Sequence, residues 1–437
     1  MLFRAGYSCA HDPLREEDFV KAQREGEDDG STTELTTSQL PGAVATAPRG
    51  QAAAAPQGKR LLFVDNLRIL LISMVLVVHL DDTYGGIGSW YYHDPATNLL
   101  TGVLLSIPSA IGIASGMGLF FLLAGYFTPG SYDRKGPRAF LRDRLVRLGI
   151  PVLLYGLLLD PLAIYIAGGL HGSYWSFYAN YLPQVRGVTG PAWFIALLLL
   201  FSLVYAAWRR LTRYRTQTTA STGKLPSSRG IFGFIFAPGL VTFVVRLWWP
   251  ADWIFLPLNV PVGYLPQYSS LYMLGLLASR RNWFFEVTAK MGRDWSLIAL
   301  MATLVIFGGL VFPSVMMQEA GAPGTSRAGL AIVGGFNWPA FGYALWESFM
   351  VVGVCIGLLV LFRQRWNHQG RLAKGLAASI YTVYLIHPPV LVGFAYALHV
   401  VALYPLLKWG IAVLITLPLC FLISSLIRRI PLANRVL

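Results

Sequence analysis

The chain has 437 residues, of which 55% are hydrophobic and only 13% charged, and its formal net charge is +14. Soluble domains carry about 25% charged residues, so a water-soluble fold is excluded and most of the surface must face lipid. The positive excess fits membrane orientation signals and anionic head groups, and nothing in it calls for nucleic acid.

In chain order, residues 1–58 are polar, then rich in Ala, Pro, Gly and Gln, and hold nearly half of the acids. Such a segment cannot bury enough apolar surface to offset the entropy of ordering it. It also lacks the apolar core of a signal peptide. It reads as a disordered cytosolic tail ahead of a transmembrane domain over residues 59–437.

A helix needs about twenty apolar residues to cross a bilayer core. Ten stretches qualify: 61–80, 99–127, 148–168, 190–208, 230–248, 264–279, 295–313, 340–362, 376–399 and 404–427. The second holds Pro108 and the glycines of IGIASGMG, which predicts a kink. The sixth, YLPQYSSLYMLGLLAS, is short and polar. Basic segments such as DRKGPRAFLRDRLVR and RQRWNHQGRLAK fall on alternate connections. The other connections, such as YYHDPATN, are aromatic and nearly free of Lys and Arg. By the positive-inside rule both termini and the basic loops are cytoplasmic. The expected fold is therefore an all-α polytopic protein of the cell (inner) membrane, with about ten transmembrane helices. Cys9, Cys355 and Cys420 have no metal or redox spacing, and no metal is expected.

Several ionisable residues sit at membrane depth, where they are costly and mark function by default. Arg68 and His79 lie in DNLRILLISMVLVVHLDDTYGG. Eleven residues at about 100° each return to one helix face, about 16 Å along the axis. The structural alternative is an arginine snorkelling to head groups and a histidine in the opposite interface. His387, in SIYTVYLIHPPVL, is either catalytic or a core histidine capping backbone freed by the two prolines. Glu347 has Arg246 or a histidine as candidate partners, and Asp160, just before Pro161, reads as satisfying amides at a kink. Arg142, Arg144 and Arg147 in FLRDRLVRLGIP suit bidentate phosphate recognition, or serve only as topology signals.

DNLR with an arginine-x10-histidine span resembles the first helix of the acyltransferase-3 family of integral membrane O-acyltransferases. GLFFLLAGYF (118–127) with FLRDRLVRLGIP (140–151), GPAWFIALLLLFSLVY (190–205) and SIYTVYLIHPPVL (379–391) resemble further family motifs in the same order. GSWYY and RLWWP look like the branch of the glucan-biosynthesis succinyltransferase type. Two positions depart from the pattern: Ala124 replaces a small hydroxyl residue, and Asn66 replaces a commoner glycine. DDTY after His79 matches nothing assignable.

The resemblance implies transfer of an acyl group, acetyl or succinyl, from cytosolic acyl-CoA to a hydroxyl. The acceptor it implies is a glycan or similar molecule outside the cytoplasm. His79 would be the general base and Arg68 would position the donor. Arg142, Arg144 and Arg147 would hold the CoA phosphates, and His387 and Glu347 are further catalytic candidates. Acyl-CoA is then the donor substrate, and membrane lipid is the surrounding partner. The oligomeric state is open. The competing reading is a transporter or flippase for a polar or lipid-linked substrate, with the buried charges lining its path.

Overall fold

A computed structural model describes residues 60–86, 88–95, 98–184, 190–212, 223–314 and 331–431. The expected tail, 1–58, lies outside the described residues. The described residues are mostly helical, joined by loops, with one hairpin in which Ile254–Phe255 pairs antiparallel with Val260–Pro261.

Eight helical runs among the described residues are long and apolar enough to cross a membrane. The expected count of ten changes for two physical reasons. The second and third spans share one run, Leu100–Ala167, which at 68 residues has length for more than one crossing. The sixth falls on Leu265–Arg281, only 17 residues, whose buried face includes Gln267, Tyr268 and Tyr272. The protein is a multi-pass all-α membrane protein. The kink expected near Pro108 is not where the dihedrals break. In Leu99–Arg144 the residue outside helical geometry is Gly136, at φ 74° and ψ 165°, followed by Pro137. Glycine reaches positive φ without a Cβ clash, and proline cannot continue the hydrogen-bond ladder.

Polar caps start several of the helices. The Asn98 side chain accepts from Thr101 N at 3.0 Å, and Asn337 accepts from Ala340 N at 2.8 Å. Such caps satisfy amides that the first turn leaves without partners.

The first helix, Leu62–Thr83, sits at the centre. Phe63, Val64, Leu67 and Leu71 at one end pack with Leu119, Leu122, Val351 and Leu359. Ile72, Val75, Leu76 and Leu80 at the other end pack with Val383, Leu391, Val392 and Ala412. Both of its ends are also tied by polar contacts. Asn66 donates to the carbonyls of Trp366 (2.8 Å) and His368 (2.9 Å) and accepts from Gln369 (2.9 Å). The asparagine that departed from the family pattern thus pins a basic loop. At the far end, Trp409 Nε1 donates to Asp81 at 2.7 Å, and Lys408 pairs with Asp94 at 2.9 Å, both residues buried. The first acid of the unassigned DDTY is therefore an anchor for the last helix.

The closest helix crossing joins Leu99–Arg144 to Leu265–Arg281. A Cβ on Gly125 would run into the Tyr272 carbonyl, and one on Gly275 into the Leu122 carbonyl and Tyr126 N. Two glycines let the backbones touch, the usual device where lipid supplies no hydrophobic drive. Gly275→Val is expected to cost about 1–3 kcal/mol or more, because rigid backbone cannot yield. Thermal unfolding of the detergent-purified protein checks this. Gly375→Ala, at a helical position with open space around it, should leave the midpoint unchanged.

Candidate active site

The site is assembled around prolines. Pro388 has no N–H, so the Tyr384 carbonyl lacks its helical donor. His387 fills that gap: its Nδ1 lies 2.6 Å from Tyr384 O. A carbonyl only accepts, so Nδ1 carries the proton and Nε2 is the bare nitrogen. Nε2 is buried without a hydrogen-bond partner among the described residues. This is the backbone-capping histidine expected from HPP, with one nitrogen left over.

His387 is also beside His79. The two rings lie 5.3 Å apart at 12°, and His79 stacks on Trp90 at 3.8 Å and 16°. The side chains differ in access: His387 is fully buried, whereas that of His79 is 21% exposed. That exposure opens onto a cavity of about 490 Å³, within the size range of small-molecule sites. His79 Nδ1 has no hydrogen-bond partner among the described residues, with Asp82 Oδ2 3.8 Å away, too far for a bond but one turn along the same helix. Trp90 Nε1 is likewise buried and without a partner among the described residues.

The opposite cavity wall carries residues that the sequence did not single out together. Tyr155–Leu159 is a widened π turn running into Asp160 and Pro161. Such turns absorb the bond that a proline cannot make. Asp160 does not spend its carboxylate on kink amides, as expected. Tyr91 donates to its Oδ1, Tyr181 to its Oδ2 at 2.8 Å, and Tyr91 also contacts the Tyr155 hydroxyl at 2.9 Å. The backbone of Gly190 lies against this cluster. A Cβ there would strike the Tyr91 hydroxyl and Asp160, and its φ is +27°. Asn259, at the tip of the small hairpin, donates to Gly190 O at 2.8 Å and closes the wall.

The other candidates lie elsewhere. Arg68 is one-third exposed, 3.5 Å from Asp65, with its guanidinium 4.9 Å from the Phe127 ring centroid. It is about three turns from His79 and does not line that cavity. Glu347 is fully buried against Arg246 at 2.8 Å. Arg246 in turn sits over Tyr264 (4.5 Å) and donates to Gly263 O (3.2 Å). Of the two partners open to Glu347, the structure gives it the arginine, and neither residue lines the His79 cavity.

Arg142, Arg144 and Arg147 begin the return stretch after Gly136. Arg142 and Arg147 are exposed, and Arg147 pairs with Asp143 at 3.1 Å. Arg144 lies over Phe140 at 5.1 Å, its Nε buried without a hydrogen-bond partner among the described residues. The Tyr381 hydroxyl donates to the Arg147 carbonyl, so the helix bearing His387 also braces the arginine segment. Among the described residues no group of three His, Cys, Asp or Glu side chains is placed to hold a metal ion.

Asp82, Trp90, Tyr91 and Tyr181 were missed in the sequence. The signals available were the i, i+3 spacing of His79 and Asp82 and the GSWYY stretch that holds Trp90 and Tyr91. Neither showed that these side chains meet, because Trp90 and Tyr91 arrive from a loop and Tyr181 from a separate short helix.

In comparison with known proteins, the acyltransferase-3 family model, described as an acyltransferase domain, matches residues 61–425. No curated protein and no solved structure matches the chain.

The Arg246–Glu347 geometry makes a testable distinction between scaffold and chemistry. Arg246→Met strands a buried carboxylate and should cost about 3–5 kcal/mol. Replacing both residues with methionine should recover much of that loss in thermal unfolding of the purified protein. A double variant no more stable than the single one would mean that the pair does more than balance charge.

Proposed function

The chain belongs to the acyltransferase-3 family, and from that premise we propose that it moves an acetyl or succinyl group from acyl-CoA to a hydroxyl of a glycan or similar acceptor, with His79 as general base. The observation that carries this is the placement of His79: its ring is stacked on Trp90, with His387 alongside, and it lines a small-molecule-sized cavity. Of the two histidines, only His79 borders that cavity, so it is the one given the acceptor's proton.

In this mechanism the acceptor oxygen gives its proton to His79 Nε2 as it attacks the thioester carbonyl. The tetrahedral species collapses, the C–S bond breaks, and the CoA sulfur takes the proton back from His79. The products are an ester and free CoA. Histidine suits both transfers because a neutral imidazole nitrogen can take a proton and give it back. Asp82, 3.8 Å from Nδ1, orients the ring and steadies its charged form once the pair tightens around substrate. The carbonyl oxygen needs a donor as its charge grows. Trp90 Nε1, buried without a partner beside His79, is assigned that role.

The donor would enter from the arginine end, on the cytosolic side of the inner membrane. Arg142, Arg144 and Arg147 take the CoA phosphates, and Arg144, whose Nε has no partner among the described residues, is the strongest of the three. Arg68 guides the pantetheine arm along the first helix, whose separation of about 16 Å between Arg68 and His79 is a length an extended arm covers.

The test is acceptor-dependent release of CoA from labelled acyl-CoA in proteoliposomes given a glycan extract. His79→Ala should lower turnover by about 10²–10⁴-fold with acyl-CoA binding intact. Trp90→Phe keeps a stacked ring without the N–H and should lower kcat by about 10²–10³-fold. Arg144→Ala with Arg147→Ala should instead weaken saturable acyl-CoA binding. Wild-type protein that binds no acyl-CoA would turn the assignment toward transport.

A further inference from the structure

The wall opposite His79 is built to hold a carboxylate in a fixed orientation. Asp160 is only 7% exposed, yet it lines the same cavity as His79. The partners the structure gives it are phenols: Tyr91 at Oδ1 and Tyr181 at Oδ2. Tyr91 is itself in contact with the Tyr155 hydroxyl. Each carboxylate oxygen can accept two hydrogen bonds, and among the described residues one phenol takes one on each, so each oxygen keeps capacity for a second donor. A desolvated carboxylate fixed this way is a receptor for O–H or N–H donors, and phenols hold it without quenching its charge as a cation would.

The rest of the lining narrows the class of donor. Trp90, Tyr91 and Trp193 contribute aromatic rings, and Gln184 and Asn259 contribute planar amides. Apolar ring faces next to paired acceptors match a molecule with C–H faces and adjacent hydroxyls on its edge. That description is a carbohydrate-type polyol. The wall is also continuous with the base: Tyr91 meets Trp90 edge-on at 5.1 Å, and Trp90 stacks on His79 at 3.8 Å.

We propose that Asp160 is the acceptor-binding residue of this cavity, accepting hydrogen bonds from adjacent hydroxyls of a carbohydrate-type polyol while a further hydroxyl faces His79. Tyr91 and Tyr181 are positioning residues that fix its carboxylate. This rests on the acyl-transfer reading, and it adds the group that grips the acceptor.

The experiment uses the full chain in detergent with labelled acetyl-CoA and succinyl-CoA. The acceptor probes are methyl glucoside, methyl galactoside and methyl mannoside, each with its monodeoxy analogues. For the wild type, loss of one particular hydroxyl should raise the acceptor KM about 10–100-fold, the scale of a hydrogen bond to a charged group. In Asp160→Asn, which conserves volume, KM for the parent glycoside should rise, and the penalty for that same deoxy analogue should largely vanish. Tyr181→Phe keeps the carboxylate and should raise the acceptor KM by a smaller factor, with kcat at saturating acceptor retained. Binding of labelled acyl-CoA reports whether each variant is folded. An unchanged deoxy penalty in Asp160→Asn overturns the assignment. So does a wild type that binds acyl-CoA and acylates none of the glycosides. If the wild type fails to bind acyl-CoA at all, the transfer reading falls, and this inference with it.

Discussion

A chain inside a bilayer has no water to complete its backbone hydrogen bonds, so each must be met from within the protein. Proline breaks that condition wherever it enters a helix. Here two such breaks lie close to the cavity, one behind His79 and one beside Asp160. Pro388 frees the Tyr384 carbonyl, and His387 takes it up, which sets the tautomer of a buried histidine beside His79. Pro161 follows a π turn that leads into Asp160, which lines the cavity, with Tyr155 buried behind it against Tyr91. The first break is met by a polar side chain, His387, and the second by a widened backbone turn.

The first helix converts that local arrangement into a molecule-wide one. Its two halves belong to different apolar clusters, and its two ends are tied to distant segments by Asn66 and Asp81. A central helix fixed at both ends holds Arg68 and His79 at a constant separation. The Arg371–Leu398 helix does similar work alongside it: Tyr381 reaches the Arg147 carbonyl, Tyr384 the Pro191 carbonyl, and His387 lies beside His79. Two helices therefore connect the arginine segment to the cavity.

The buried charges divide into two kinds. Arg246–Glu347 and Asp94–Lys408 are closed pairs, each ion met by its opposite, and their burial is compensated within the scaffold. His79 and Asp160 face open space and have neutral neighbours in the cavity wall. From sequence both kinds look alike, since each is an ionisable residue at membrane depth.

Local pattern was therefore enough for some features and not for others. Long apolar runs fix helices because lipid permits little else, so the all-α multi-pass fold was legible before any coordinates. The shared face of Arg68 and His79 followed from helix geometry, and the role of HPP followed from the missing N–H of proline. The ordered motifs pointed to the family that residues 61–425 match. Other features depend on which segments meet. The division of Leu100–Ala167 at Gly136, the pairing of Glu347 with Arg246, and the placement of Trp90, Tyr91, Asp160 and Tyr181 around one cavity join residues far apart in the chain. Periodicity reports which face of a helix is apolar, but not which loop closes over its end. That choice is made by packing, where the Gly125–Gly275 crossing and the anchored loop ends bring separate segments to one place.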